Sequence, residues 1–264
     1  MTSTLNYIHP SAKIAENVSI DPFTMIHEDV EIGENTWIGS NVTIMSGARI
    51  GANCKIFPGA VIAAIPQDLK FNGEDSQAII GNYSVIRECV TINRGTSATG
   101  KTQIGEHCLI MAYSHIAHDC SIGNYCIFSN NSTLAGHIKI GNHVVLAGLT
   151  AIQQFCSVGD FAFISGGSLV RKDIPPFVKV ARDPLIFVGI NSVGMERNGV
   201  EKERVEVIQN AYRIIFKSKK NISQALEIIK KEMNSTQDVK MILQFIEKST
   251  QGIVRGYEDR KSTV

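Results

Sequence analysis

The sequence predicts a mainly β protein, in which a left-handed parallel β-helix of six-residue repeats is followed by a small α-helical C-terminal domain. Two observations support this fold class: isoleucine recurs every six residues over most of the chain, and the pattern becomes helical after Asn191. A third is the composition, in which 22 glycines and only 7% aromatic residues favour an aliphatic core inside tightly turning backbone. We therefore expect residues 1–190 to form the β-helix and residues 191–264 to form the helical domain.

The six-residue register carries isoleucine at every step across residues 8–62. It resumes across 80–92 and 104–170, where each step holds a bulky apolar residue, and the residue two places earlier is usually small. One large and one small inward side chain per unit fit one side of a triangular prism, in which three units of about 18 residues close a coil. The alternative is an α/β protein with buried strands, but no helical pattern occurs before residue 191.

Two polar insertions interrupt the register without changing its phase, at residues 67–79 and 95–103. We expect both to be surface loops, where ligand contacts concentrate on a rigid scaffold. The repeat is expected to end at Pro175-Pro176, because proline donates no ladder hydrogen bond. In the helical domain we expect Asn221 and Ser235 to be N-caps. The residues expected on its apolar faces are Val205, Ile208, Ala211, Tyr212, Ile215, Ala225, Ile228, Ile229, Met241, Leu243, Phe245 and Ile246.

Nothing in the sequence is typical of a secreted or membrane-spanning protein. Residues 1–6 lack the basic and apolar regions of a signal peptide, and no apolar stretch approaches the roughly 20 residues of a spanning helix. We expect a cytoplasmic protein with reduced cysteines. Five of the six cysteines occupy the small inward slot and none forms a CxxC pair, so they are expected to fill the core. The part after residue 190 is mildly basic, with 14 Lys and Arg against 10 Asp and Glu, which would attract an acidic partner.

The candidate catalytic residues lie in two short segments, one containing His115, His118 and Asp119 and the next containing Gly136 and His137. The histidines fall outside the inward slots, and a coil of about 18 residues places Gly136 beside His118. Asp119 would orient the imidazole, His118 would act as a general base, and the Gly136 N–H would stabilise an oxyanion. Two alternatives stay open, ordinary solvent-facing histidines and a zinc site shared between subunits.

Other candidates are interesting mainly because of their neighbours. Asp68 and Lys70 open the first insertion, and Asn191 and Arg197 lie just beyond the prism, where an arginine suits a phosphate. Each of them alone would more often be a solvated surface group. The sequence has no Walker loop, dinucleotide fingerprint or Ser-His-Asp elbow.

Together these features resemble the UDP-N-acetylglucosamine O-acyltransferase family over essentially the whole chain. The resemblance implies a homotrimer with active sites between neighbouring prisms. It also implies transfer of a 3-hydroxyacyl chain from acyl carrier protein to the glucosamine 3-hydroxyl of UDP-N-acetylglucosamine, the first step of lipid A synthesis in Gram-negative bacteria. No cofactor, metal, nucleic acid or stable membrane insertion is expected. The segments that carry the resemblance are Gln67-Asp68-Leu69-Lys70, His115-Ile116-Ala117-His118-Asp119-Cys120, Ala135-Gly136-His137, Gln153-Gln154-Phe155, and Asn191 with Arg197.

The resemblance also implies a role for each matching residue. His118 would be the general base, Asp119 its partner and Gly136 the oxyanion donor. Because a thioester is already activated, direct attack by the sugar hydroxyl needs no covalent enzyme intermediate. The residues implied to contact the donor or the nucleotide sugar are Asp68, Lys70, His115, His137 and Gln154, with Asn191 and Arg197 at the diphosphate and uridine end.

The chain departs from the family pattern at two positions. Gln153 stands where the family commonly has histidine, a change that would alter contacts with the acceptor. Asn198 stands where the family commonly has a second arginine, a change that would weaken binding of the nucleotide. Gly166 matches a position at the far end of the donor groove, where glycine leaves room and a large side chain shortens the groove. The resemblance therefore implies a long 3-hydroxyacyl chain.

Three other functions are weighed against this one. A related enzyme N-acylates a later glucosamine intermediate, but such proteins usually carry an extra domain before their coils, whereas this repeat begins at Ile8. A metal-dependent β-helix hydratase would bind zinc, and a non-catalytic scaffold would tolerate substitution of Asp68, Lys70 and His118. A variant acceptor with an amine at the sugar 3-position also stays open.

Overall fold

The protein was analysed as a computed structural model, which describes residues 5–218 and 220–256. Its strands form three sheets, and each coil adds one strand to each sheet in turn, so the sheets enclose a left-handed parallel β-helix. This confirms the predicted fold class. The parts of the two predicted domains that fall on residues 1–4, 219 and 257–264 lie outside the described residues.

The sheets are numbered in the order in which the chain visits them. Sheet 1 contains β1 (Tyr7–Ile8), β4 (Met25–Ile26), β7 (Thr43–Ile44), β10 (Val61–Ala64), β13 (Thr91–Asn93), β16 (His115–Ile116), β19 (Thr133–Leu134), β22 (Ala151–Ile152) and β25 (Leu169–Val170). Sheet 2 contains β2 (Lys13–Ile14), β5 (Glu31–Ile32), β8 (Ala48–Ile50), β11 (Gln77–Ile80), β14 (Lys101–Ile104), β17 (Ser121–Ile122), β20 (Lys139–Ile140) and β23 (Ser157–Val158). Sheet 3 contains β3 (Ser19–Ile20), β6 (Trp37–Ile38), β9 (Lys55–Ile56), β12 (Val85–Ile86), β15 (Leu109–Ile110), β18 (Ile127–Phe128), β21 (Val145–Leu146), β24 (Phe163–Ile164), β26 (Val178–Ala181) and β27 (Ile186–Ile190).

The residues of the six-step register form the core. They pair with their counterparts in the next coil, as Ile26 does with Ile44 and Ile92 with Ile116, so identical branched side chains stack along the prism axis. Each buried isoleucine contributes roughly 2 kcal/mol of apolar transfer free energy. The small inward slots are buried as expected, including the five cysteines, while Cys89 is half-buried at a corner.

The chain turns at three corners, which we name by the sheets they join: the 1–2, 2–3 and 3–1 corners. Both insertions leave from the 1–2 corner, the first between β10 and β11 and the second between β13 and β14. Both insertions are shorter than predicted, because β11 begins at Gln77 and β14 begins at Lys101. These two strands pair with each other over four residues. The loops therefore span residues 65–76 and 94–100.

The six-residue spacing ends before Pro175-Pro176, as predicted, since strand partners are then 16 residues apart (Ile164 with Val180) instead of 18, but sheet 3 continues past the prolines. Strand β26 continues sheet 3 in parallel beside β24, and β27 then returns antiparallel to it. The two prolines precede β26 at a corner, where no ladder donor is required, so they do not stop the sheet.

In the part of the chain that the structure describes, four helices follow the last strand: α1 (Ser192–Arg197), α2 (Lys202–Lys217), α3 (Ile222–Glu232) and α4 (Gln237–Lys248). Asn221 caps α3 with a reciprocal capping box, as predicted. The prediction of Ser235 as a cap is wrong by one residue, because Thr236 is the extended residue whose hydroxyl accepts the Val239 N–H. Among the described residues, no helix is long and apolar enough to cross a membrane.

The apolar faces of α2, α3 and α4 pack towards the core largely as predicted. All five residues expected on α2 are buried, and so are Ala225, Ile229 and Ile246. Ile228 is only half-buried, because the inner face of α3 is completed by Leu226. Tyr212 donates its hydroxyl to the Pro176 carbonyl at 2.5 Å, so the helices pack closely on the end of the prism. Their status as a separate domain remains a prediction.

Candidate active site

The 1–2 corner brings together both loops and the predicted catalytic residues. The loop at 94–100, the turn after β16 and the turn after β19 succeed one another along this corner. His118 and Asp119 are each 6% exposed, and Gly136 is buried as well. The sequence analysis left solvent-facing histidines open, and the structure rules out that reading for His118, since its side chain is only 8% exposed.

His118 and Asp119 form a buried pair. The His118 Nδ1 lies 2.7 Å from Asp119 Oδ2, although the two residues are sequence neighbours. This contact is possible because Asp119 has a left-handed backbone (φ 61°), a conformation that aspartate tolerates better than most residues. The backbone N–H of Asp119 donates to the Thr102 hydroxyl at 2.9 Å, which holds the turn in place. With Nδ1–H donated to the carboxylate, the neutral imidazole leaves Nε2 free to accept a proton.

The second loop supplies the other partners of the Asp119 carboxylate, which sequence reasoning missed. Oδ1 accepts the Thr96 N–H at 3.1 Å and the Thr99 hydroxyl at 2.5 Å, while Oδ2 accepts the Thr96 hydroxyl at 2.7 Å. Burial acts to raise the pKa of Asp119, but the hydrogen bonds from Thr99, His118 and Thr96 outweigh it and lower the pKa to about 2. Asp119 is therefore ionised at neutral pH. The signal in the sequence was the threonine-rich stretch of the second insertion, which carries no fixed motif.

Gly136 lies directly against the His118 ring, as the coil length predicted. A Cβ at this position would lie 2.7 Å from His118 Cε1 and 2.8 Å from Nε2, closer than any side chain can approach. The His137 N–H donates to the His118 carbonyl at 3.0 Å, which ties the two turns together. Among the described residues the Gly136 N–H has no acceptor, so it remains available beside the free Nε2.

The other two histidines of the site have different surroundings. His137 stacks on Phe155, with ring centroids 5.0 Å apart, and its Nε2 lies 3.7 Å from Asp119 Oδ2, beyond hydrogen-bond range. His115 is half-buried on β16, with Nδ1 2.7 Å from the Thr91 hydroxyl, and burial lowers its pKa. Gln154 lies exposed beside Phe155 at the same corner.

His118, Asp119 and His137 have the residue types and proximity of a metal site, since their ligand atoms lie within 4.8 Å of one another. The hydrogen bonding does not fit this reading. An aspartate carboxylate has about four lone-pair sites, and two donors already occupy each oxygen of Asp119. A metal ion would have to displace these donors, so the arrangement fits an acid–base pair better than a metal centre.

The first loop presents its polar residues to the surface. Asp68 Oδ1 accepts the Lys70 N–H at 3.0 Å, which closes a tight turn, and the Lys70 side chain is exposed. Leu69 at the loop tip is completely exposed. The loop leaves the same corner as His118, which places its polar groups on the same edge of the prism.

The remaining predicted site residues lie elsewhere in the protomer. The Asn191 side chain caps α1 by accepting the Gly194 N–H at 3.2 Å and donates to the Phe161 carbonyl at 2.8 Å, near the 2–3 corner. Arg197 is exposed at the end of α1, next to Asn198. Gly166 is exposed at the 3–1 corner, where a Cβ would lie 3.1 Å from the Gly148 carbonyl. One protomer therefore does not bring the whole predicted set together.

Comparison with known proteins places this geometry in a family. A family model described as Udp N-acetylglucosamine O-acyltransferase, domain 2, matches residues 173–254, and a bacterial transferase hexapeptide model matches residues 29–64 and 101–136. The acyl-[acyl-carrier-protein]--UDP-N-acetylglucosamine O-acyltransferase of Stenotrophomonas maltophilia is 41% identical over 250 residues, which cover 94% of this chain and 95% of that protein. The protein of the same name from Alkalilimnicola ehrlichii is 45% identical over 249 residues, covering 94% and 96%.

Solved structures agree with the sequence relatives. The UDP-N-acetylglucosamine acyltransferase of Bacteroides fragilis superposes with a TM-score of 0.95 and 48% identity, covering 97% of this chain and all of that chain. The enzyme of Francisella novicida gives a TM-score of 0.94 and 38% identity, covering 100% of this chain and 96% of that chain. Both the fold and the helical end are thus shared along nearly the full length, and the chain belongs to the UDP-N-acetylglucosamine O-acyltransferase family.

Proposed function

We propose that this protein transfers a 3-hydroxyacyl chain from acyl carrier protein to the glucosamine 3-hydroxyl of UDP-N-acetylglucosamine, in the cytoplasm, as the first step of lipid A synthesis. The observation that carries the proposal is the buried His118–Asp119 pair with Gly136 packed directly against the His118 ring. Family membership supports the substrates, because the named relatives act with acyl carrier protein and UDP-N-acetylglucosamine.

In the proposed mechanism, His118 Nε2 removes the proton from the sugar hydroxyl as its oxygen attacks the thioester carbonyl carbon. The negative charge that forms on the carbonyl oxygen is stabilised by the Gly136 N–H. The C–S bond then breaks, and the imidazolium returns its proton to the departing thiolate of the carrier protein. The products are the O-acylated nucleotide sugar and the free carrier thiol. The ionised Asp119 stabilises the imidazolium between the two proton transfers.

We propose a homotrimer with each active site between two prisms. The outward residues of sheet 1 are largely apolar or small, whereas those of sheet 2 are largely charged or polar, such as Lys13, Glu31 and Arg49. Exposed Tyr113 and Leu149 extend the apolar surface onto the 3–1 corner. Large apolar surfaces of this kind are typical of protein interfaces. Packing against a neighbour would bring the 3–1 corner of one prism, with Gly166, towards the 1–2 corner of another.

The proposed roles of the binding residues follow from their places in the fold. Those near the base are assigned to the acyl donor and sugar: Asp68, Lys70, His115, His137 and Gln154. Asn191 and Arg197 are assigned to the diphosphate and uridine end. Both polar groups of the Asn191 side chain are already used within the protomer, so its share in binding would be to shape the Arg197 helix. Asn198 donates to the Gly194 carbonyl at 2.8 Å, a helix-ending contact rather than a second cationic one.

The test is acyl transfer from 3-hydroxyacyl-acyl carrier protein to UDP-N-acetylglucosamine by wild type and His118→Ala. We expect kcat to fall by about 10²-fold or more in a variant of unchanged oligomeric state. His107→Asn, which alters a histidine at the 2–3 corner, is the matched control and should keep wild-type turnover. No turnover by the wild type with any acyl length would overturn the proposed reaction, whereas full activity of His118→Ala would overturn only the role of His118 as base.

The proposed acyl length has its own test. Gly166→Met would fill space at the 3–1 corner, so we expect the preference of the enzyme to move towards shorter 3-hydroxyacyl donors. Competition between donors of different length gives the ratio of kcat/KM values directly. An unchanged ratio of kcat/KM values would contradict the proposal that Gly166 lines the acyl groove.

A further inference from the structure

The Asp119 carboxylate is held mostly by one short segment, the second loop. Each of its oxygens accepts two hydrogen bonds, and three of these four come from Thr96 and Thr99. The remaining one comes from His118 Nδ1. Thr96 and Thr99 lie 23 and 20 positions earlier in the chain, and they reach Asp119 because the insertion folds back over the next coil.

The directions of the hydroxyl protons follow from the neighbouring contacts. The Thr96 hydroxyl accepts the Ala98 N–H at 3.2 Å, so its own proton points to Asp119 Oδ2. The Thr99 hydroxyl lies 2.5 Å from Asp119 Oδ1 and 2.8 Å from the Lys101 carbonyl. An anionic carboxylate is the stronger acceptor of the two, and the shorter distance agrees with a bond to it.

The loop itself is braced. The Glu74 carboxylate of the first loop accepts the Ser97 N–H at 3.0 Å and the Asn72 N–H at 2.8 Å. Within the second loop the Gly100 N–H donates to the Thr96 carbonyl at 2.7 Å. These contacts hold both threonine hydroxyls in position before any ligand arrives, which is what a preorganised site requires.

We propose that Thr96 and Thr99 are positioning residues, which hold Asp119 as the anionic, correctly oriented partner of His118 and so keep Nε2 free for the proton of the acceptor. The proposal rests on His118 being the base of the proposed reaction. If the hydroxyls are removed, the carboxylate stays buried but loses up to half of its donors. Burial then raises its pKa, and the pair takes up protons nearer to neutral pH.

The other titratable groups around Asp119 do not replace these donors. His137 Nε2 is 3.7 Å away, and Cys120 is buried next to Asp119, with its pKa raised to about 12 by burial and by the carboxylate. Cys120 therefore stays a neutral thiol over the working pH range. A shift in the acid side of the pH profile would then report on Asp119 and its partners.

The experiment compares Thr96→Val, Thr99→Val and the double variant with Thr96→Ser and Thr99→Ser in the full-length enzyme. For each valine variant we expect kcat/KM to fall about 10- to 100-fold, as for a lost hydrogen bond to a charged group. We also expect the acid limb of the kcat/KM profile to move to higher pH, and the serine variants to restore both. NMR of carboxyl-labelled aspartate should show Asp119 titrating at higher pH in the valine variants.

The control is Thr36→Val, which removes a buried threonine hydroxyl bonded to the Gly51 carbonyl at the 2–3 corner. It should change stability but neither the pH profile nor the Asp119 signal. If His118→Ala is inactive while the valine variants keep the wild-type profile and Asp119 titration, the positioning role is wrong and the proposed function survives. If His118→Ala stays active, the role of His118 as base fails while the proposed reaction stands, and the Asp119 titration then decides whether the threonines hold the carboxylate.

Discussion

Histidines occupy the left-handed turn position at two corners of the prism, His137 at the 1–2 corner and His107 and His143 at the 2–3 corner. At the 2–3 corner His107 lies between Tyr83 and Tyr125, with ring centroids 4.8 and 4.9 Å away. The turns there are uniformly short, and their rings stack on one another from Tyr83 to Phe161. At the 1–2 corner the second insertion adds Thr96 and Thr99, which donate to the buried Asp119 carboxylate of the turn after β16. The same backbone turn thus supports a stacked ladder at one corner and an acid–base pair at the other.

The repeat thus supplies the rigid backbone and the proposed reacting groups, and the second insertion supplies the donors that bury and hold the Asp119 carboxylate. Asp160 at the 2–3 corner is also an aspartate beside a histidine ladder, but it accepts the Asn142 N–H at 3.1 Å and serves to extend a ladder of side-chain bonds. Asp119 differs because the second loop buries it and provides donors. The largest effects on activity should therefore come from the 1–2 corner.

Asp119→Asn should have the largest effect of the variants that preserve shape. An amide in this position cannot hold His118 Nδ1–H as the carboxylate does, and a wrong tautomer costs on the order of 10³- to 10⁴-fold in kcat in enzymes with a similar His–Asp pair. Steady-state kinetics against Asp160→Asn as the control will measure it. Equal kcat for Asp119→Asn and Asp160→Asn would contradict the proposal that the carboxylate at the 1–2 corner acts in the reaction.

Gly136→Ala should come next. The added Cβ would meet the His118 ring at 2.7–2.8 Å, so the ring must move away from the Gly136 N–H. We expect a loss of about 10²-fold in kcat, the size found when an oxyanion donor is removed. Gly39→Ala is the control, because its Cβ would meet Pro58 Cδ at 3.0 Å in the N-terminal coils, away from the proposed site. A Gly136→Ala enzyme with wild-type kcat would contradict the proposed donor.

The next smaller effect is on the free energy of unfolding in acid, to which Asp119 at the 1–2 corner should contribute. The pKa of Asp119 is about 2 in the folded protein and 3.8 as an ordinary carboxyl, so the native state binds fewer protons in between. The resulting stabilisation, of the order of 2 kcal/mol, is fully present above about pH 4 and is lost as the pH falls towards 2. Denaturant unfolding of wild type and Asp119→Asn should give free energies that converge by about this amount over that range. Parallel curves would show that Asp119 carries no depressed pKa.

His107→Asn should have the smallest effect on function. Asparagine holds the equivalent left-handed position at Asn35 and Asn53, so the backbone is preserved while two ring contacts are lost. We expect a loss of about 1–2 kcal/mol in the free energy of unfolding and unchanged kcat/KM. Thermal melting and turnover measured on the same sample will check both. A fall in activity larger than the fall in stability explains would assign the ladder a role in the reaction.

Much of the fold was predictable because the repeat is a local rule. The inward residues and buried cysteines followed from the six-residue spacing, and the proximity of Gly136 to His118 followed from the coil length. An error arose where local rules compete, at Ser235, because the neighbouring Thr236 caps the helix.

The coil, its core and the proximity of His118 to Asp119 and Gly136 follow from the amino-acid sequence, because a fixed period converts positions along the chain into positions in space. The burial of the pair and the bonds from Thr96 and Thr99 to the Asp119 carboxylate depend on the three-dimensional packing. The path of an insertion has no period, so its contacts depend on how the loop folds back over neighbouring coils. The physical reason is that hydrogen bonds between a loop and a distant turn are set by packing, which no spacing in the sequence records.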